Sequence, residues 1–551
     1  MSFLSRRFYN RLLSADQDDN DPTVPTDLLH RKNVALAMSY FSVGLTMSFM
    51  STPLNIYLIE VLDAEPQMQS TIYILQSLPW SLKIIFGFIS DAFPIYGAHR
   101  KPYLTTGCIL YSLAYIFYAV MGIPNVILLA GCIFLGTLGL IQLDVMADTM
   151  CVERSKFEPD ITKGQMQASC YSIRFAGSLL GAILGTTVSN QAEWGWGLSF
   201  MQVCFINGII PFILVTPWLF SLQEKYFKRS EDKNSIELTE QRKKALQYSP
   251  HRRIQQLKNE DLESYKIRPA GVANYSSVQD SLETENTVSI SNQLHEIWET
   301  VQLQAVWRPM AFVYIFNFFQ IPNVAWQSFL QLSLHFEPWI LGLTVTLGSF
   351  MTFAGILAYK YIFFKASWRN IYIWSVGLTT FFSLMQMCLI FQINKKYFHL
   401  NNYLFSLGDD VITAYISGIQ FLPVCIMYTR LCPDGAEGSS YSMLTTFGNI
   451  ALVCASNLGN LFANIWDVSN GAMRENNING LWRLTLLTSI LSTLPLTLLF
   501  LLPRSAAEQD ELSKSKVRSK LGGIIFLSVL GLSLLWSIST AIMRLISVWH
   551  F

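Results

Sequence analysis

The sequence predicts an all-α polytopic membrane protein whose spans form two bundles of six. Three observations lead there. Hydrophobic residues make up 51% of the 551 and charged residues only 14%, whereas a soluble chain carries roughly a quarter charged. Apolar runs of about 20 residues, each long enough to cross a bilayer, recur from near residue 34 to near residue 500. A polar block between residues 221 and 305 divides these runs six and six. The net charge of +1 leaves no basic surplus for nucleic acid. The nine cysteines show no paired CxxC spacing and read as small packing residues, so neither metal nor other cofactor is expected.

In chain order, residues 1–33 form a polar tail with Asp16, Asp18, Asp19 and Asp21, expected to be disordered and cytosolic. Arg31 and Lys32 stand at its border with the first span, and cations there favour a cytosolic amino terminus. Runs beginning near residues 34, 67, 101, 125, 165 and 198 make an amino-terminal bundle over 34–220. The linker 221–305 has too few large apolar residues to fold as a core, and its sequon Asn274–Tyr275–Ser276 falls on the cytosolic side, where it stays unused. Runs beginning near 306, 338, 369, 403, 436 and 479 make a second bundle over 306–503. A basic cytosolic segment, 504–520, leads to an extra apolar run, 521–548, expected to be a thirteenth span. Arg100, Lys101, Arg154, Lys156, Lys163, Lys365, Arg369 and Arg430 all fall on the cytosolic side, against the dissenters Lys395, Lys396 and Arg474. The plasma membrane is the expected location, an organelle membrane the alternative.

The halves echo each other. Pro53 and Glu65–Pro66 in the first half match Pro322 and Glu337–Pro338 in the second. Ile141–Gln142–Leu143–Asp144–Val145 matches Ile419–Gln420–Phe421–Leu422–Pro423–Val424. Duplicated bundles around a midplane site are a transporter plan. The second copy replaces Asp144 by apolar residues, so buried charge is expected in the first bundle, with amides and aromatics in the second.

An ionised side chain inside a span costs about 2.5–3.5 kcal/mol on insertion scales. Lys83 in span two, Asp144 and Asp148 in span four and Arg174 in span five would each incur that cost if they faced lipid. Asp144 and Asp148 are four residues apart and share a helical face. The inexpensive solution is a shared interior with mutual pairing. On the functional reading, Lys83 and Arg174 attract a substrate carboxylate. Asp144 or Asp148 then takes up a coupling proton or pairs with an amino-pyrimidinone edge. On the structural reading, the four lock helices together. One charge crossing 100 mV yields about 2.3 kcal/mol and one pH unit about 1.4 kcal/mol, enough to drive accumulation.

Span seven displays Gln320, Asn323, Gln327 and Gln331 at three- and four-residue steps, beside Trp326. One stripe of amides suits either a heterocycle or interhelical hydrogen bonding. Gly177, Gly181 and Gly185 in span five form a small-xxx-small pattern for close packing. Asp91, Gly97, Arg100 and Lys101 crowd the turn after span two, Glu153 closes span four, and Glu437 opens span eleven.

Three runs carry a family resemblance. They are Leu78–Pro79–Trp80–Ser81–Leu82–Lys83 through Gly87, Ser90–Asp91, Pro94–Ile95, Gly97 and Arg100–Lys101–Pro102–Tyr103; Asp144–Val145, Ala147–Asp148 and Val152–Glu153; and Pro433, Gly435, Glu437 and Tyr441. In order and placement the chain resembles the folate–biopterin transporter (BT1) family of the major facilitator superfamily, over about residues 31–505 without the linker. Gly438 and Ser439 stand where that family often has Ser or Thr and then Thr, and His99 where Arg is common. The resemblance implies a major-facilitator fold and alternating-access transport, commonly by proton symport, of folates, pterins or a related heterocyclic metabolite. It also implies a cytosolic latch of Asp91, Arg100 and Lys101, with Glu153 and Glu437, that gates access. The implied partners are a small-molecule substrate, a proton and the bilayer. The alternatives are S-adenosylmethionine or another solute as cargo, and a membrane receptor or scaffold that does not transport. No nucleophile–base pair or phosphate loop suggests an enzyme.

Overall fold

The computed structural model describes residues 28, 30–62, 64–96, 98–159, 164–189, 194–222, 294–295, 297–432 and 437–549. Residues 1–27 with the acidic cluster, Gly97, Lys163, linker residues 223–293 with the sequon, and residues 433–436 with Pro433 and Gly435 lie outside the described residues.

All thirteen expected segments contain helix. In the first half these are α1 Arg31–Val61, α2 Met68–Ala92, α3 Lys101–Met121, α4 Val126–Ser155, α5 Gln165–Val188 and α6 Phe200–Phe220. In the second they are α7 Gln304–Phe318, α8 Trp339–Phe363, α9 Trp368–Ile390, α10 Asn402–Leu431, α11 Glu437–Ala463 and α12 Asn479–Leu501. Helix α13, Lys520–Trp549, follows. Local chemistry sets many of the boundaries. Asn125 caps α4 by accepting from the Ile127 and Leu128 amides. Gly122, at φ 63°, ends α3 in the left-handed conformation that an L side chain adopts only at a cost. Ser199 and Gln202 form a capping box at the start of α6.

Among the described residues eleven helices are long and apolar enough to cross a membrane. Helices α7 and α11 are not among them, so the expected count of twelve core spans plus one is not met on those criteria. Helix α7 spans only 15 residues and stops just before Pro322, whose ring and missing N–H oppose helix continuation. Helix α11 spans 27 residues but is rich in Ser, Thr, Asn and Gly.

Close packing builds the first bundle. A Cβ on Gly177, Gly181 or Gly185 of α5 would lie 2.3, 2.3 or 2.4 Å from the Phe41, Leu45 or Phe49 carbonyl oxygens of α1. The two halves meet along two seams, α2 against α11 and α5 against α8. In the second, Thr186 donates to the Gly342 carbonyl at 3.0 Å. Helix α13 lies against α7 and α11: Phe526 stacks on Phe447 with centroids 4.1 Å apart, and the Ser533 hydroxyl is 2.5 Å from that of Tyr314.

Candidate functional site

The four charged residues of the first bundle converge. Pro79 helps break α2 into a short tight turn, Leu78–Leu82, from which a fresh helical segment starts at Lys83. Lys83 Nζ lies 2.5 Å from Asp144 Oδ2 and 3.0 Å from Asp148 Oδ2. Arg174 Nη1 reaches the other oxygen of Asp144 at 2.7 Å. The Tyr40 hydroxyl of α1 donates to Asp148 Oδ1 at 2.6 Å. Every carboxylate oxygen has a donor, and two cations balance two acids. Lys83, Asp144 and Asp148 are 3%, 0% and 1% exposed, so the charges are taken out of the lipid entirely. The Trp80 ring serves both cations, with its centroid 4.9 Å from Lys83 Nζ and 5.2 Å from Arg174 Cζ. Tyr40 carried no signal in the sequence, being one apolar-looking position in an apolar helix.

A second ionic cluster sits where the carboxyl end of α2 meets the amino end of α11. Arg100 Nη2 binds Asp91 Oδ1 at 2.8 Å and Glu153 Oε1 at 2.7 Å, and Nη1 donates to the Ser90 hydroxyl at 2.8 Å. Burial disfavours the Arg100 charge, but Glu153 and Asp91 more than offset this and hold its pKa above the ordinary value. The free oxygen of Asp91 crosses to the second bundle and accepts from the Ser439 amide at 2.8 Å. Asp91 thus caps α11 from outside, where a negative charge suits the helix dipole. Gly438 makes room for it, since a Cβ there would lie 2.7 Å from Asp91 Oδ1. That contact gives a physical reason for one departure from the family pattern. Lys156 Nζ pairs with Glu437 Oε1 across the same seam at 2.5 Å. Read in the sequence only as a topology cation, Lys156 is a second tie between the bundles. Lys101 opens α3 beside this cluster.

Between these clusters the seam is zipped antiparallel. The Ile84 amide donates to Thr446 Oγ1 at 3.1 Å, and Asn449 Nδ2 donates to the Trp80 carbonyl at 3.2 Å. These α2 groups lie beside the tight turn at Pro79, where the helix's own bonding is disturbed.

The amide stripe expected in span seven does not form. Gln320 and Asn323 fall in the break after α7, and helix resumes only at Trp326–Ser328, followed by Phe329–Ser333. Pro322 removes the shared face that the spacing implied. Asn323 instead donates to Thr485 of α12 at 2.9 Å and accepts from the Ala325 amide. The Trp326 ring packs on Phe329, centroids 5.6 Å apart. Gln327 lies in the resumed helix, a break away from Gln320 and Asn323.

The second bundle also departs from the expectation that it lacks buried charge. Asp409 and Asp410 lie in α10, with Asp409 5% exposed and accepting from Gln386 of α9 at 2.9 Å. Its Oδ1 has no hydrogen-bond partner among the described residues.

A many-helix chain in two halves, with a charged interior and ionic ties across the seam, is a multi-pass membrane transporter of the major-facilitator fold. A proton:xylose symporter, XylE, shares that fold at a TM-score of 0.55, with 12% identity over 88% of this chain and 98% of that one. The chain belongs to the BT1 family, whose model matches residues 43–521. Among relatives, a folate-biopterin transporter of Synechocystis is 24% identical over 471 residues, 85% of this chain and 81% of the relative. "Probable folate-biopterin transporter 2" of Arabidopsis thaliana is 22% identical over 493 residues, covering 86% and 84%.

Proposed function

We propose that this protein carries a folate, a pterin or a related anionic heterocycle by proton-coupled alternating access. The observation that supports this most is the closed set Lys83, Asp144, Asp148 and Arg174. Both cations have protonatable carboxylates as counter-ions. Protonation of Asp144 frees Arg174 and removes one of the two acids on Lys83, because Asp144 is the acid bonded to both cations. A substrate carboxylate then replaces it, so proton and anion enter as a pair and the buried cations are never left unmatched. Asp148, held by Tyr40, stays on Lys83 and keeps it placed. Trp80 offers a flat surface beside the cations. The relatives named for folate and biopterin support the choice of cargo.

Gating belongs to the inner end of the seam. Asp91, Arg100 and Glu153, with Lys101 alongside and Glu437 tied to Lys156, hold that end shut while the outer end admits substrate. Breaking these ties exposes the site to the cytosol, where the amino terminus also lies. Of the second-half amides, Asn323 supports the broken span, and Gln320, Gln327 and Trp326 flank the outer approach.

The test is uptake of labelled folate, biopterin and S-adenosylmethionine at two external pH values, for the wild type and Asp144→Asn. The expected result is pH-driven uptake of folate or biopterin by the wild type, and loss of the pH response in the variant. Equal uptake by both proteins under an imposed gradient would remove Asp144 from coupling. Failure of correctly inserted wild type to move any of the three would favour a receptor.

A further inference from the structure

The α2–α11 seam changes character along its length. Its inner half carries three bonds between the bundles: Asp91 to the Ser439 amide, Ile84 to Thr446, Trp80 to Asn449. Continuing outward along the same α11 face, at three- and four-residue steps, come Val453, Asn457 and Asn460. Asn457 and Asn460 are 1% and 2% exposed. Neither the oxygen nor the nitrogen of either amide has a hydrogen-bond partner among the described residues. Four orphaned polar atoms within one turn are rare in native proteins, where the large majority of buried polar side-chain atoms are bonded. Each such group costs about 1–3 kcal/mol when left unmade. Nonpolar residues of similar size would serve a permanent seam better.

We propose that Asn457 and Asn460 form a subsite that takes the donor–acceptor edge of a flat nitrogen heterocycle as the outer half of the seam parts. The chemistry is two-point. A carboxamide presents one acceptor and one donor side by side, the complement of an amino-pyrimidinone edge or an adenine edge. Placement agrees with a cargo that has an anionic end. Asn457 lies eight residues outward of Asn449, which is bonded to Trp80, the residue beneath both cations. Eight residues of helix advance about 12 Å. The cations hold one end of an elongated substrate, and the amides read its ring at the other. This subsite rests on the function proposed above and deepens it. It also replaces the span-seven stripe, which Pro322 disperses.

The experiment uses Asn457→Leu, Asn460→Leu and the double variant of the full chain, normalised to protein in the membrane. Uptake of folate, biopterin and S-adenosylmethionine is measured, with p-aminobenzoylglutamate as a competitor that keeps the acidic tail of folate and lacks its pterin. The expected result is a KM about tenfold higher for ring-bearing cargo in each single variant, with inhibition by p-aminobenzoylglutamate changed less than twofold. Which cargo shifts separates a pterin edge from an adenine edge. Thermal stability in detergent provides the second readout. If the amides only fasten helices together, the leucine variants melt lower; if they await a ligand, the variants melt at the same temperature or higher. Lower melting with unchanged selectivity overturns the subsite and leaves the transporter reading intact. Equal weakening of the tail-only competitor and the ring-bearing cargo also overturns it. Wild type that moves none of the three cargoes overturns the transport reading and the subsite with it.

Discussion

The two bundles bury acids in opposite ways. In the first, Asp144 and Asp148 meet Lys83 and Arg174, and every carboxylate oxygen has a donor. In the second, Asp409 has an amide on one oxygen, none on the other, and no ion pair among the described residues. Helices from a duplicated plan therefore carry different chemistry. The first bundle holds a balanced network that is costly to break at any single point, because each loss strands a charge. The second holds an acid whose removal strands no charge among the described residues. The difference supports placing the proposed exchange of cargo and proton in the first bundle.

The largest effect should follow Asp144→Asn. It deprives both cations of a counter-ion, and breaking a buried ionic set by deleting one member costs about 3–5 kcal/mol. Insertion yield and melting temperature should fall sharply, and uptake by about a hundredfold or more. Removing Lys83 and Asp148 together, as Lys83→Met with Asp148→Leu, leaves Asp144 matched to Arg174. That pair should regain most of the stability without regaining uptake. Recovery of uptake would show that the network is only structural. Tyr40→Phe is the next step down. It deletes one hydrogen bond to a charged group, worth about 1.5–3 kcal/mol, and should lower the melting temperature without abolishing transport.

The seam gives a smaller effect. Lys156→Glu places two acids together at the inner end, where Glu437 is partly solvent-exposed. The pair is mostly buried, so it should be worth more than an open surface pair at about 1 kcal/mol, and uptake should slow about fivefold or more. Glu437→Lys in the same chain should restore it. Failure of the reversed pair to recover would remove this contact from the gate.

Much of the first bundle was legible in the sequence for an energetic reason. Lys83, Asp144, Asp148 and Arg174 stand out in apolar runs because hydrocarbon penalises them, and the same penalty obliges them to meet. The glycine stripe of α5 was legible because its spacing has one steric use. Tyr40 was not, since a tyrosine in an apolar helix costs little wherever it points. Span seven misled because helical spacing was counted through Pro322, beyond which the face no longer continues. Asp409 and Asp410 were not legible because the echo with Asp144 falls on Leu422 and Pro423, three to four turns further along α10. The seam partners of Asn449 and Thr446 come from the other half of the chain, and no local pattern announces a contact over more than 350 residues.

Asp409→Asn should have the smallest effect and is the sharpest check on the contrast between bundles. The substituted amide keeps the shape of the acid and can still accept from Gln386, so the observed bond survives. Among the described residues no cation is left behind, and the second oxygen has no hydrogen-bond partner to lose. Stability should change by less than about 1 kcal/mol, the scale of one ordinary hydrogen bond. Uptake and its response to external pH should stay within about twofold of wild type. A loss approaching that of Asp144→Asn would mean that α10 shares the proposed coupling, and that charge balance is the wrong guide to where that chemistry lies.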